Sequence, residues 1–434
     1  MVRKSILVLV VIGLTYSCKP KYESPEINAG EIDPARFVMI GGSQVAGYSD
    51  DALTHDGQIN SLAALIAGQL SRAGGGEFKQ PLVSESSVGV SLSGLSVLQL
   101  GYKTDCKGTT SLSPVRKASA GDVSVWNDLL YSATSNFGNY GVPGVRMDQL
   151  ELAGLSSINA FYTRFASSST SSIVGDAVSA NPTFFALFAG LDELVAYAKS
   201  GATQGTLPSF SEFKTTYESV LSALSANGAK GVIATLPDVT KMPYFTTIPS
   251  NGLVLDSASN STLNAVYNPL GYYFSVGNNP FMIVDSTANS FAVRQMLSNE
   301  LLLLSLPLDS VKCHQMGVLY PFRDEFVLDH LELATLRAQI KNYNNAIRLL
   351  ANQFDLALVE SEEFYASLND GFVYNGVTLS SKFVSGGAYS LDGIQLNARG
   401  NALLANLFLK AMNTKFRAKI PLLNPLEYNG PIFP

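Results

Sequence analysis

FVMIGGSQVAGYSD, residues 37–50, is the stretch from which the rest of the chain can be read. Phe37-Val38-Met39-Ile40 is apolar on consecutive positions and too short for a helix. It therefore reads as a strand buried on both faces, as in a parallel sheet. Gly41 and Gly42 allow a sharp exit where a larger residue would not fit. Ser43 is thereby placed at the carboxyl end of a buried strand, where open α/β sheets bind ligands. Its hydroxyl is a candidate nucleophile or the remnant of one.

Outward from this stretch, strand and helix patterns alternate. Apolar residues at helical spacing run through Ile59–Leu70, and Ala73-Gly74-Gly75-Gly76 stops them. Pro81-Leu82-Val83 reads as a second strand. Asn139–Gly144 reads as a glycine-punctuated loop, followed by a helical stretch from Val145. Thr183–Ala189 and Gly231–Leu236 are buried strands. Ser209 with Glu212 forms a capping box for a helix with Phe213, Tyr217, Val220, Leu221 and Leu224 on one face. Asp329 and Glu332 cap the longest helix, whose stripe is Leu333, Leu336, Ile340, Tyr343, Ile347 and Leu350. Leu356–Val359 is the last strand and Ala398–Met412 the last helix. Two stretches break the rhythm, about 84–138 and 246–320, and read as insertions. Within the second, Glu300–Leu308 is apolar, too short for a bilayer, and expected to pack on the core. The expectation is an α/β three-layer sandwich, a mostly parallel sheet between helices, spanning 35–415 with an extended tail at 416–434.

With 434 residues, 46% of them hydrophobic and 15% charged, the chain can bury a large core. Its net charge of −6 and the absence of a dense basic run exclude nucleic-acid binding through a basic stripe. Met1-Val2-Arg3-Lys4, the apolar Ile6–Leu14 and Thr15-Tyr16-Ser17-Cys18 form a signal peptide over 1–18. The cysteine resembles the lipidated residue of a bacterial lipobox, although Leu14 sits one place early. Cys18 is thus the expected lipid attachment point, and 19–34 a polar tether to an outer membrane. Cys106 and Cys313 are either a disulfide or two buried thiols, and the sequence leaves both open. No metal site or cofactor is expected.

Four blocks occur in the order found in the SGNH/GDSL hydrolase family, and the chain resembles a branch of large Bacteroidota-type envelope lipoproteins. GGSQVAGYSDDALTHDGQINS resembles the nucleophile block, NYGVPGVRMDQL the second, FAGLDELVAYAKSG the third and YSLDGIQLNARGNALLAN the last. The resemblance covers about Phe37–Lys415. It implies Ser43 as nucleophile, Gly144 as a backbone oxyanion donor and Asp392 as the triad acid. It also implies departures. Asp192 replaces the oxyanion Asn, Gln395 replaces the catalytic His, and Gly42 replaces an Asn or Asp.

These departures fall where the chemistry is done. Gln cannot take a proton near neutral pH, and losing a triad base costs roughly 10⁴–10⁶ in turnover in serine proteases. An ionised Asp192 offers no donor and repels a developing oxyanion, whereas a missing donor alone costs about 10²–10³. The chain has three histidines, His55, His314 and His330, none in the last block. His55, with Asp56 beside it, is the one candidate for a replacement base; the bland alternative is a surface loop residue. The expected function is a non-enzymatic lipoprotein that binds or scaffolds an outer-membrane β-barrel protein or a glycan. The alternatives are a serine esterase acting on acylated lipids or glycans with an unusual base, and a nutrient-capture protein.

Overall fold

The structure, a computed structural model, describes residues 26–131, 137–285 and 292–434. The expected signal peptide, Cys18 and the start of the expected tether lie outside the described residues. Five strands form one parallel sheet: β1 (Phe37–Gly41), β4 (Asn139–Gly141), β5 (Phe184–Phe188), β6 (Lys230–Ala234) and β7 (Ala357–Val359). Their order is β7-β6-β5-β1-β4. A hairpin in the first insertion, β2 (Leu98–Thr104) and β3 (Thr110–Arg116), stands apart from this sheet. Every residue of β1 and β5 is buried, which is why both read as unbroken apolar runs.

Helices cover both faces. On one lie α1 (Leu62–Arg72) and α6 (Ala398–Phe416), packed on each other and, through α6, on β6 and β7. On the other lie α2 (Ile173–Ser179), α4 (Phe210–Ser225) and α5 (His330–Gln353). Helix α3 (Leu191–Lys199) follows β5 directly. Both expected capping boxes are made: Ser209 with Glu212, and Asp329 with Glu332. The two apolar stripes read from the sequence are buried without exception. The expected three-layer α/β sandwich is present.

Three local expectations change. Pro81–Val83 is extended but is no strand: the Gln58 side chain bonds Pro81 O and Val83 N at 2.9 and 2.7 Å, filling the place of a ladder. The strand beside β1 is instead Asn139–Gly141, in the segment read as a loop. There Asn139 bonds Val45 O, Gln80 Oε1 and Gly141 N, so a side chain organises the strand end. The segment after Val145 forms a short 3₁₀ turn, Met147–Gln149, rather than a longer helix. In the second insertion Leu303 joins the main core, as expected, whereas Leu302 and Leu306 are buried in a separate small cluster with Phe281, Ile283 and Phe322. Cys106 and Cys313 are joined in a disulfide that ties the two insertions together. Among the described residues no helix is long and apolar enough to cross a membrane.

Candidate active site

The chain runs from β1 to β4 on one side and then to β5 on the other, so β1 is the topological switch point. A crevice opens at such a point beyond the strand carboxyl ends. Ser43 follows β1 and begins the single helical turn Ser43–Ala46. Gly144 follows β4 with φ 74°, a conformation that favours glycine and turns its N–H toward Ser43. Asp192 lies in the first turn of α3, after β5. Three loops from three adjacent strands therefore deliver three expected site residues to one point.

At that point the donors are already occupied. Ser43 N–H donates to Asp192 Oδ2 at 3.1 Å and Oδ1 at 3.3 Å. Gly144 N–H donates to Asp192 Oδ1 at 3.2 Å and to Ser43 Oγ at 3.1 Å. The Ser43 hydroxyl donates to Asp192 Oδ1. The carboxylate thus sits where the two backbone N–H groups converge, the place an oxyanion would need. Burial pushes Asp192 up to about 6, against the hydrogen bonds from Ser43 and Gly144 that lower it. At neutral pH it is mostly ionised.

Gly42 belongs to the same arrangement. A Cβ on Gly42 would lie 1.8 Å from Asp192 Oδ2. The Asn or Asp implied at 42 by the family resemblance is sterically incompatible with Asp192 in this position. Positions 42 and 192 are therefore sterically coupled. Leu92, from the first insertion, lies against Gly144, at 2.8 Å from the place its Cβ would take, and Leu92 N–H donates to Tyr48 Oη at 3.3 Å.

Asp392 and Gln395 form a second cluster. Asp392 Oδ1 accepts from Ile394 N and Gln395 N at 2.7 and 2.8 Å, and Oδ2 from Asp51 N at 3.2 Å. Its carboxylate is engaged with backbone rather than with a base. Burial pushes its pKa up, while the bonds from Ile394 and Gln395 pull it back. Gln395 Oε1 is buried without a partner. Neither side chain hydrogen-bonds Ser43. Gln44 links the clusters: Oε1 accepts from Leu396 N at 3.1 Å, and Nε2 donates to Asn401 Oδ1.

No histidine hydrogen-bonds Ser43 or Asp392. His55 opens the short helix His55–Ile59 and lies 3.8 Å from Glu85. His330 Nδ1 lies 3.1 Å from Glu300. His314 ends the helix Leu308–Cys313. None hydrogen-bonds Ser43. Among the described residues no group of three metal-ligating side chains occurs.

Two residues outside the sequence-derived site brace it. Asp50 Oδ1 accepts from Leu391 N at 2.7 Å, and Asp50 N donates to Ser390 Oγ at 3.0 Å. Burial pushes Asp50 up to about 7, and the nearby Asp392 adds to that rise. Asp51 accepts from Arg116 and from Tyr48 Oη. Both have positive φ, in the tight turn of the hairpin Tyr48–Ser49/Ala52–Leu53. The Asp50-Asp51 pair was the available signal, since short polar residues tolerate that turn.

The parallel sheet, covered by helices on both faces, and its three converging loops define a three-layer α/β sandwich. No family model matches the chain, and no curated protein matches it. Among solved structures, the lipase/acylhydrolase from Enterococcus faecalis aligns with 89% of this chain and 98% of its own length, at 11% identity and a TM-score of 0.34. A likeness so distant carries nothing about activity.

Proposed function

We propose that this protein is a catalytically silent SGNH-like body that works by binding, held at an outer membrane through a lipid on Cys18. The observation that supports silence is the Asp192 carboxylate, bonded to Ser43 N–H, Gly144 N–H and the Ser43 hydroxyl at once. An ester carbonyl entering this site meets an anion where it needs donors. The absence of a histidine at 395 removes the base independently. The signal-peptide pattern and the polar tether support the anchor, with the β-barrel protein or glycan as the bound partner.

A second reading rests on one contact. The Ser43 hydroxyl donates to Asp192, whose affinity for protons is raised, so this carboxylate could act as an unusual base for an esterase. The same carboxylate consumes both backbone donors, which favours silence. Incubation with a fluorophosphonate probe between pH 5 and 8 separates the two. No covalent adduct is expected on Ser43. Labelling that Ser43→Ala abolishes would overturn silence and establish the esterase. For the binding role, recovery of a stoichiometric β-barrel protein or glycan from solubilised membranes is expected. Absence of both would sink it.

A further inference from the structure

The two insertions wall a cavity of about 780 Å³ that Asp392 lines but Ser43, Gly144 and Asp192 do not. That volume lies in the range of small-molecule sites. Leu112 and Pro114 come from the β2–β3 hairpin, Leu304 and Leu306 from the second insertion, Phe383 from the approach to the last block and Leu391 from that block. The walls are latched together. The Cys106–Cys313 disulfide joins residues 207 apart in sequence, Lys312 Nζ donates to Asp105 at 2.8 Å, and Cys106 N donates to Asp309 at 3.3 Å. Val384, on the wall, holds φ 62°. A β-branched residue rarely tolerates that conformation, and such strain collects at ligand sites.

The charges decide what fits. Arg116 is paired with Asp51. Lys103 faces Asp309 at 4.0 Å. Asp392 is engaged by three backbone N–H groups. Lys199, the last residue of α3, is only partly exposed; its Nζ lies 5.1 Å from the centre of the Tyr244 ring and has no carboxylate partner. The cavity therefore offers extended apolar walls and one ammonium outside any ion pair, Lys199, while the Asp392 carboxylate is held by backbone N–H groups. Its complement is an apolar body with a single negative head.

We propose that this cleft binds a single-headed anionic amphiphile, a long-chain carboxylate, with its head at Lys199 and its tail along the apolar walls. The site is distinct from Ser43 and stands whether or not that serine reacts. The test uses the Ser43→Ala protein, so that hydrolysis has no part in the signal. Calorimetry with dodecanoate should show saturable one-to-one binding, and dodecanol, equal in length and neutral, should bind about tenfold more weakly. Lys199→Met should abolish that preference while leaving dodecanol unchanged. Leu112→Trp, which fills the cavity from an exposed position on its wall, should weaken both ligands. Absence of saturable dodecanoate binding, equal affinity for the two ligands, or a preference that survives Lys199→Met would each overturn the proposal.

Discussion

The Ser43 cluster and the Asp392 cluster hold their carboxylates in different ways. Around Ser43 the convergence of loops is kept: a serine and two backbone N–H groups still point at one place. The group filling that place is the Asp192 carboxylate. Around Asp392 the acid is kept and its use has changed. With no imidazole to orient, it caps the backbone of its own loop and holds Asp51 in place. The contrast teaches that one buried carboxylate can fill the meeting point of donors from separate loops while another caps the backbone of its own loop.

The largest test of this contrast restores both losses. Asp192→Asn returns a donor and Gln395→His returns a base. The double variant should label with fluorophosphonate roughly 10³-fold faster than either single variant, because each single leaves the other defect in place. Equal reactivity of the double and single variants would show that the last block no longer places residue 395 against Ser43, and the contrast would have to be redrawn in backbone terms.

Next is the coupling of Gly42 to Asp192. Gly42→Ala forces a Cβ into the carboxylate and should cost about 3 kcal/mol of unfolding free energy, read from a urea midpoint. In an Asp192→Ala background most of that cost should vanish, a coupling of roughly 2 kcal/mol in a double-mutant cycle. Additive effects would separate the two departures.

The smallest effect is with pH. The folded pKa of Asp192, about 6, lies above that of an ordinary unfolded carboxylate, about 4. Below pH 4 both states hold the proton and the contribution is complete. Between pH 4 and 6 the unfolded chain releases its proton first, so stability falls as pH rises. Relative to Asp192→Asn, wild type should lose roughly 2 kcal/mol between pH 4 and 7, allowing for the partial exposure of the group. A flat difference would mean that the carboxylate is solvated and does not fill the donors' meeting point.

Much of the fold was legible because its signals are local. The β1 and β5 runs, the two capping boxes and the α4 and α5 stripes each depend on residues within a few positions of one another. Asn139–Gly141 was not legible as a strand. It is short and glycine-rich, and it becomes a strand only because β1 lies beside it and Asn139 reaches Val45 and Gln80. The assignment of Pro81–Val83 erred for the mirror reason, since an apolar triplet says nothing about whether its backbone finds a ladder or the Gln58 amide. Of the site, the identities at 43, 144, 192, 392 and 395 could be read from the four blocks. The bracing by Gln44, Asp50 and Asp51 could not, because their partners lie some 340 residues or more away in the chain.

By itself, then, the sequence determined which residue types stand at 192 and 395. The inability of Gln395 to accept a proton is a property of the residue type and holds in any fold. Only the tertiary structure decided what surrounds them. Whether Asp192 would point away from Ser43 or fill the meeting point of two N–H groups, whether Gly42 was incidental or required, and whether Cys106 and Cys313 would pair all depend on distances between segments far apart in the chain. Those distances are set by packing across the whole sheet, and no local pattern encodes them.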